Sequence, residues 1–290
     1  QSRRAVFNAI AGALIGAASA HAAAIPQYTL QDLGTLGGTE SFAYGINNSG
    51  QVIGYSALPG NSQSAPVLFG TAGAANINLG TLGGPAGVAF DINDSGQAVG
   101  YSARSSGNIH PALFGPDGAQ VVDLLSAFPF DVGSAEGINN LGDIVGWTSS
   151  NGATRATSFG TGGTQNTLFG TLGGTFSVAL DVNDARLAVG TASTAGNSAY
   201  LPVTFSLHTG AVTPLSMPAG ALGGDARAVN ESGIAVGITS FQTGSRATLF
   251  NTVGGTATNL GTLGGTFSLA RDINESGVVV GETTTAIGQG

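Results

Sequence analysis

Residues 45–54, Gly-Ile-Asn-Asn-Ser-Gly-Gln-Val-Ile-Gly, show a pattern that occurs six times along the chain. Copies of its Asn lie 44 to 47 residues apart, at Asn47, Asn93, Asn139, Asn183, Asn230 and Asn274. The closing Gly keeps the same step, at Gly54, Gly100, Gly146, Gly190, Gly237 and Gly281. A Phe follows at intervals of 45 or 46 residues, at Phe69, Phe114, Phe159, Phe205 and Phe250. Three markers with one period indicate six structural units, the last of them incomplete.

Each unit contains four short apolar segments separated by turn residues. In the second unit we predict strands at residues 89–93, 97–102, 111–114 and 119–124, with turns at 94–96 and 116–118. Asn, Asp and Gly favour such turns, and turns this short can join only antiparallel strands. Four antiparallel strands in about 45 residues match one propeller blade. The sequence therefore predicts an all-β fold, a β-propeller of about six four-stranded blades, with a β-solenoid as the alternative.

Residues 1–24 differ from the repeats. Arg3 and Arg4 precede an apolar run at 9–17, and Ala20-His21-Ala22 fits an A-x-A cleavage site, the order typical of a secretory signal peptide. The run is too short to span a membrane. We predict a signal-peptide helix at 1–24 and a β-repeat domain at 25–290, and hence a secreted or cell-surface protein. A retained N-terminal helix is the alternative.

The composition excludes several classes of partner. The chain has no Lys, and its eight Arg are outnumbered by sixteen acidic residues. The six Arg beyond the predicted leader are isolated, whereas phosphate recognition needs clustered positive charge. We therefore expect no nucleic-acid partner and no membrane span. Cys is absent, which excludes disulfides and thiolate metal sites.

Candidate catalytic residues are scarce. Beyond the leader only His110 and His208 remain, and neither has a second His or a carboxylate at metal-ligand spacing. The Leu-Gly-Thr-Leu-Gly-Gly copies lack the Lys of a phosphate-binding loop and are interpreted as turns between units. We expect no catalytic residues, no cofactor and no resident metal, and therefore a protein that is not an enzyme. An enzyme acting on polysaccharide remains the weakest alternative.

One turn resembles the start of a calcium loop. Asp91-Ile92-Asn93-Asp94-Ser95-Gly96 alternates oxygen ligands before a Gly. Other units carry Gly45, Gly137 or Ala228 at the first position. Asn at a hairpin turn already caps nearby backbone N–H groups, so turn formation explains the motif and calcium is the alternative.

Aromatic residues follow the closing Gly of three successive units, at Tyr55, Tyr101 and Trp147. On adjacent blades they would form an arc able to stack on sugars, so these three are candidate glycan-binding residues. Packing between units is the alternative. The polar loops between second and third strands, such as 57–64, 103–109 and 191–198, vary between units and form the predicted recognition surface.

The repeats resemble the bacterial "probable extracellular repeat" family, named for a His-Ala-Phe tripeptide. The likeness rests on Asp32-Leu33-Gly34-Thr35-Leu36-Gly37-Gly38, on residues 45–56 and on their copies. The naming tripeptide is degenerate: its first position is filled by His110, Arg155 and Arg246 in three units. The resemblance implies export and repetition and brings no established ligand.

Together these observations predict an exported, non-catalytic structural or interaction repeat protein of the cell surface or extracellular matrix, with a protein or glycan partner. Two alternatives stay open. One is a carbohydrate-binding propeller. The other is an extracellular fibre subunit that associates head to tail, since the sixth unit lacks its third strand and a neighbouring molecule could supply it.

Overall fold

A computed structural model describes residues 30–71, 74–127 and 131–286. The predicted signal peptide at 1–24 lies outside these ranges. Within them, the strands follow the sequence repeat in six units. Unit one has β1 (Ser41–Ile46), β2 (Val52–Ala57), β3 (Ser64–Phe69) and β4 (Ile77–Asn78). Unit two has β5 (Gly83–Ile92), β6 (Ala98–Arg104), β7 (Ile109–Phe114) and β8 (Val121–Asp123). Unit three has β9 (Val132–Ile138), β10 (Ile144–Ser150), β11 (Ala153–Phe159) and β12 (Thr167–Leu168). Unit four has β13 (Gly173–Val182), β14 (Leu187–Thr194), β15 (Tyr200–Ser206) and β16 (Val212–Pro214). Unit five has β17 (Gly223–Val229), β18 (Ile234–Phe241), β19 (Gly244–Asn251) and β20 (Thr258–Asn259). Unit six has β21 (Gly264–Ile273) and β22 (Val279–Thr285). A short 3-10 turn, Ala195–Asn197, separates β14 from β15.

Units one to five each form an antiparallel meander in chain order. Units one and two are separate four-stranded sheets. Units three and four are joined by one parallel pair, Thr154 with Phe176, and units five and six by Ser245 with Phe267. Up-and-down antiparallel pairing within each unit is the arrangement that the tight turns predicted, and it differs from the stacked parallel coils of a solenoid.

The first strand of a unit is longer than the sequence indicated. In unit two it begins at Gly83, so the end of the Leu-Gly-Thr-Leu-Gly-Gly element is strand and not turn. A Cβ on Gly84 would press on the backbone carbonyl of Ala103, which explains the Gly at that point. The predicted variable loop at 103–109 is correspondingly reduced to residues 105–108.

Every first strand contains a β-bulge, an extra residue that has no partner on the second strand. The closing Gly of the repeat lies opposite the bulge. A Cβ on Gly100 would overlap the carbonyl oxygen of Val88, and the other five copies meet the equivalent carbonyl. The bulge residues are Tyr44, Phe90, Glu136, Leu180, Arg227 and Arg271. The repeated Gly is therefore a requirement of backbone packing.

The hydrophobic core lies between units. One cluster combines Ile53 and Leu79 of unit one with Ile92 and Phe114 of unit two. The aliphatic residue before the repeated Asn shows the dependence on a neighbour: it is 4 to 8% exposed in units two to six, whereas Ile46 of unit one is 68% exposed. No described unit covers Ile46, so each unit completes its core only against the preceding one.

Candidate functional site

The repeated Asn residues form a ladder of hydrogen bonds between units. Each Asn Nδ2 donates to the backbone carbonyl of the Asn in the next unit, at 2.9 to 3.3 Å, across all five interfaces. Within a turn, Asn93 Oδ1 accepts the N–H groups of Ser95 and Gln97. The side chain thus closes its own turn and holds the next unit. Because Asn93 is buried and both ends of its amide are bonded, it has a structural role.

A second row of hydrogen bonds runs beside the ladder, formed by the residue after each Asn. The Asn48 N–H donates to Asp94 Oδ1 at 3.0 Å, and the Asp94 N–H donates to Asn140 Oδ1 at 2.9 Å. Asp184, Glu231 and Glu275 continue the row with carboxylate acceptors. Hydrogen bonds from the Asn48 side chain and backbone lower the pKa of Asp94. These acidic turn residues are therefore hydrogen-bond acceptors for the preceding unit.

The calcium-like motif has its oxygens engaged by backbone. Asp91 Oδ1 accepts the Ile92 N–H and Oδ2 accepts the Ile138 N–H of the next unit, both at 2.8 Å. Asn93 Oδ1 is held by its turn. In the part of the chain that the structure describes, no three His, Asp or Glu side chains are placed to hold a metal ion. The geometry supports the turn interpretation of the motif.

Asp91 and Asp181 lie at a cavity of about 200 Å³ that is lined by turns of units one to five. Burial raises the pKa of Asp91 to about 6, against the lowering effect of its two backbone hydrogen bonds. Burial and the charge of Asp91 raise the pKa of Asp181 to about 7. In units one, three and five the position equivalent to Asp91 carries a small residue: Gly45, Gly137 and Ala228. A Cβ on Gly137 would come within 2.9 Å of the Asp181 Cα, so a side chain there would crowd the next unit.

A second and larger cavity opens between units one and two. This aromatic cleft has a volume of about 560 Å³. Rings and aliphatic groups form its walls, and the loop after β2 forms a polar rim; the lining residues are Glu40, Tyr44, Tyr55, Ala57, Asn61, Ser62, Gln63, Ser64, Pro85, Ala86, Val88, Phe90 and Tyr101. Its size and its mixture of aromatic and polar groups are typical of small-molecule sites.

Five aromatic rings form a continuous band; Tyr44, Tyr55, Phe90 and Tyr101 line the cleft, and Phe42 extends the band beyond the lining residues. Phe42 stacks on Tyr55 with centroids 5.2 Å apart, and Tyr55 stacks on Tyr44 at 6.2 Å. Tyr44 meets Phe90 edge to face at 5.4 Å, and Phe90 lies 5.8 Å from Tyr101. Tyr44 and Phe90 are bulge residues, so the bulges of units one and two bring the band together.

The electrostatics of the cleft are acidic. Burial, followed by the charge of Glu40, raises the pKa of Tyr55, and the neighbouring Tyr44 and Tyr101 add to this. Burial, Tyr44 and the charge of Glu136 raise the pKa of Tyr101. The hydroxyls of Tyr55 and Tyr101 therefore stay protonated near neutral pH. Among the residues that the structure describes, no basic side chain lines the cleft.

Of the three residues predicted to bind glycan, two line the cleft and one does not. Tyr55 and Tyr101 line the cleft, together with the rim residues 61–64 of a predicted loop. Trp147 is not among the lining residues; its Nε1 donates to Glu136 Oε1 at 2.9 Å. Sequence reasoning missed Tyr44 and Phe90. The signal for them is the Gly that forces a bulge, ten residues after Tyr44 and ten after Phe90.

The same surface changes chemistry along the chain. The bulge residue and the residue after the closing Gly are Tyr44 and Tyr55 in unit one, but Arg271 and Glu282 in unit six, where they form an ion pair at 2.6 Å. Arg227 of unit five bonds Asp225 at 2.8 Å. The aromatic cleft is therefore particular to units one and two.

Comparison with known proteins gives a class of fold. No family model matches the sequence, and no curated protein is significantly similar to it. Among solved structures, a TolB-like protein from Agrobacterium tumefaciens is similar with a TM-score of 0.57 at 11% identity, covering 84% of this chain and 83% of that one. This similarity supports a β-propeller fold, and at such identity it shows the fold alone.

Two other solved structures are similar over part of their length. A puromycin hydrolase has a TM-score of 0.56 at 16% identity, covering 73% of this chain and 36% of that one. TolB from Acinetobacter baumannii has a TM-score of 0.49 at 12% identity, covering 75% of this chain and 56% of its own. The chain thus spans about a third of the hydrolase and just over half of that TolB.

No helix in the described residues is long and apolar enough to cross a membrane.

Proposed function

We propose that this chain is an exported, non-catalytic interaction protein of the cell surface or extracellular matrix, built as a β-propeller of about six units. The observation that carries the proposal is the contrast between a uniform scaffold and a variable surface. All five interfaces carry the same Asn hydrogen bond, whereas the bulge residues and the loops beside them differ from unit to unit. A rigid frame with variable loops is typical of recognition modules.

Two features support a radial arrangement of the units. Turns of five successive units line one cavity of about 200 Å³. The charge of Asp272, in unit six, contributes to the raised pKa values of Asp91 and Asp181 in units two and four. First strands so far apart in sequence share a common space in a propeller, where every blade points at the axis.

The proposed lack of catalysis rests on how the titratable groups are used. His110 is buried and its Nδ1 lies 2.9 Å from Asp123 Oδ1, within the unit's own sheet. The carboxylates of Asp91 and Asp181 accept backbone N–H groups of the next unit. These groups hold the fold and do not converge on the aromatic cleft.

Export is tested by expressing the chain with its leader in a bacterial host. We expect protein outside the cytoplasm with a new N-terminus near residue 23, and the N-terminal sequence and intact mass check this. Recovery of the uncleaved chain in the cytoplasm would contradict export. The resemblance to extracellular repeats motivates the same experiment.

Assembly is tested by small-angle scattering and electron microscopy on the purified protein. A compact propeller of this length should have a radius of gyration of about 19 Å. Fibres would favour the alternative in which a neighbouring molecule completes unit six. A monomer of much larger radius would contradict both arrangements.

A further inference from the structure

We propose that the aromatic cleft between units one and two binds an uncharged carbohydrate. The inference rests on the proposed function, since it names the ligand class of a recognition surface. This site differs from the arc that the sequence suggested, because Tyr44 and Phe90 line the cleft and Trp147 does not.

The shape of the ring band favours an extended ligand. Phe42, Tyr55 and Tyr44 are close to parallel, with angles of 18° and 27° between neighbouring ring planes. Phe90 and Tyr101 extend the band into unit two. Because Phe42, Tyr55 and Tyr44 stack on one another, their outer surfaces form one apolar wall, and the apolar face of a sugar would lie against this wall. A cage for a single cation would instead direct several ring faces at one point.

The polar groups match the other surface of a sugar, its hydroxyls. Tyr44, Tyr55 and Tyr101 supply hydroxyls that both donate and accept hydrogen bonds. Asn61 and Gln63 on the rim add amides, and Glu40 adds an acceptor. Tyr44 is 53% exposed, so part of this surface is open to solvent.

The charges select against acidic sugars. Glu40 lies close enough to raise the pKa of Tyr55, and Glu136 close enough to raise that of Tyr101. Among the described lining residues there is no Arg or His to pair with a uronic acid carboxylate, and Glu40 would repel it. The cleft therefore fits neutral glycans.

Isothermal titration of the whole protein tests the proposal, with cellohexaose, mannohexaose and chitohexaose as neutral probes. Polygalacturonate is the acidic probe and a chitosan hexamer the cationic one. We expect at least one neutral probe to bind and the polygalacturonate not to bind. Binding only of the chitosan hexamer or of polygalacturonate would overturn the proposal, as would no binding of any probe by the folded protein.

Variants locate the site. Tyr101→Ala should weaken binding of the neutral probe at least about tenfold, as expected for an aromatic anchor. The control is Tyr200→Ala in unit four, an exposed ring that packs on Phe176 and should leave the affinity unchanged.

Gln63→Ala, on the exposed rim, gives a second variant that does not disturb the core; we expect a two- to fivefold loss of affinity. Equal affinity of Tyr101→Ala, Gln63→Ala and the parent would overturn the assignment to this cleft.

The variant Glu40→Gln distinguishes a neutral sugar ligand from a cationic ligand. A neutral sugar keeps a hydrogen-bond acceptor in this variant, so its affinity should change less than about threefold. A loss greater than tenfold would show that charge dominates and would contradict a neutral ligand. Failure here leaves the export part of the proposed function unaffected, because the leader-cleavage experiment tests export separately.

Discussion

The ladder of turns and the aromatic cleft are built from the same repeat but follow opposite rules. Along the ladder, each interface repeats one hydrogen bond and one buried Asn. The bulge positions, of which those of units one and two lie in the cleft, carry different residues: Tyr44, Phe90, Glu136, Leu180, Arg227 and Arg271. The bulge connects the two regions. The repeated Gly fixes the position of the extra residue on the first strand, whereas the identity of that residue differs from unit to unit. Uniformity marks the scaffold and variation marks the surface.

The largest break in the scaffold should come from Gly100→Ala. The added methyl would overlap the Val88 carbonyl, which is backbone and cannot rotate away. We expect a loss of about 3 kcal/mol or more in unfolding free energy, measured by urea denaturation. The control is Gly115→Ala in the same unit, where the nearest atom lies 3.5 Å away and φ is not positive. Similar stability of the two variants would contradict the proposed role of the repeated Gly.

The scaffold was largely predictable from the sequence because period and turn chemistry are local. Asn93 closes its own turn through Oδ1, as its hairpin position indicated. Its second role, the Nδ2 bond to the Asn139 carbonyl, depends on how neighbouring units pack. The cleft was predictable only in part. Tyr55 and Tyr101 follow a visible marker, whereas Tyr44 reaches the cleft through a bulge that strand periodicity does not reveal.

The second prediction removes one step of the ladder. Asn139→Ala leaves the N–H groups of Leu141 and Asp143 and the carbonyl of Asn183 without their side-chain partner. Asn139 is buried, so we expect a loss of about 2 to 3 kcal/mol. Asn140→Ala is the control, because that side chain is exposed and its hydrogen bonds are to the exposed Asp94. It should cost less than about 1 kcal/mol, and an equal cost in both would contradict the ladder's importance.

The third prediction concerns pH. An Asp with a raised pKa binds its proton more tightly in the folded state, so the free energy of unfolding falls as pH rises through the folded pKa. With folded pKa values of about 6 for Asp91 and about 7 for Asp181, stability should fall from about pH 4, near the unfolded Asp value, and the fall should be complete by about pH 8. We expect a decrease on the order of 2 kcal/mol, measured by urea denaturation across that range.

Asp181→Asn tests the origin of this slope. It should reduce the pH dependence, although its overall stability drops because an amide cannot accept both the Val182 and Val229 N–H groups. Asp117→Asn, at an exposed turn, should keep the parent's slope. A flat profile in the parent, or an unchanged slope in Asp181→Asn, would contradict the assignment.

The smallest effect is expected on the variable side, at the turn between β6 and β7. Ser106 is exposed and lies between Arg104 and Asn108, whose backbone groups close the turn by the Arg104 N–H to Asn108 carbonyl bond of 2.9 Å. Ser106→Ala leaves that bond intact and should change the unfolding free energy by less than about 0.5 kcal/mol. A thermal melt beside the Asn139→Ala variant checks this. A loss comparable to that of Asn139→Ala would show that the loops also carry the fold, and the separation of scaffold from surface would then be wrong. Equal tolerance in the loops of other units would extend that separation to the other described units.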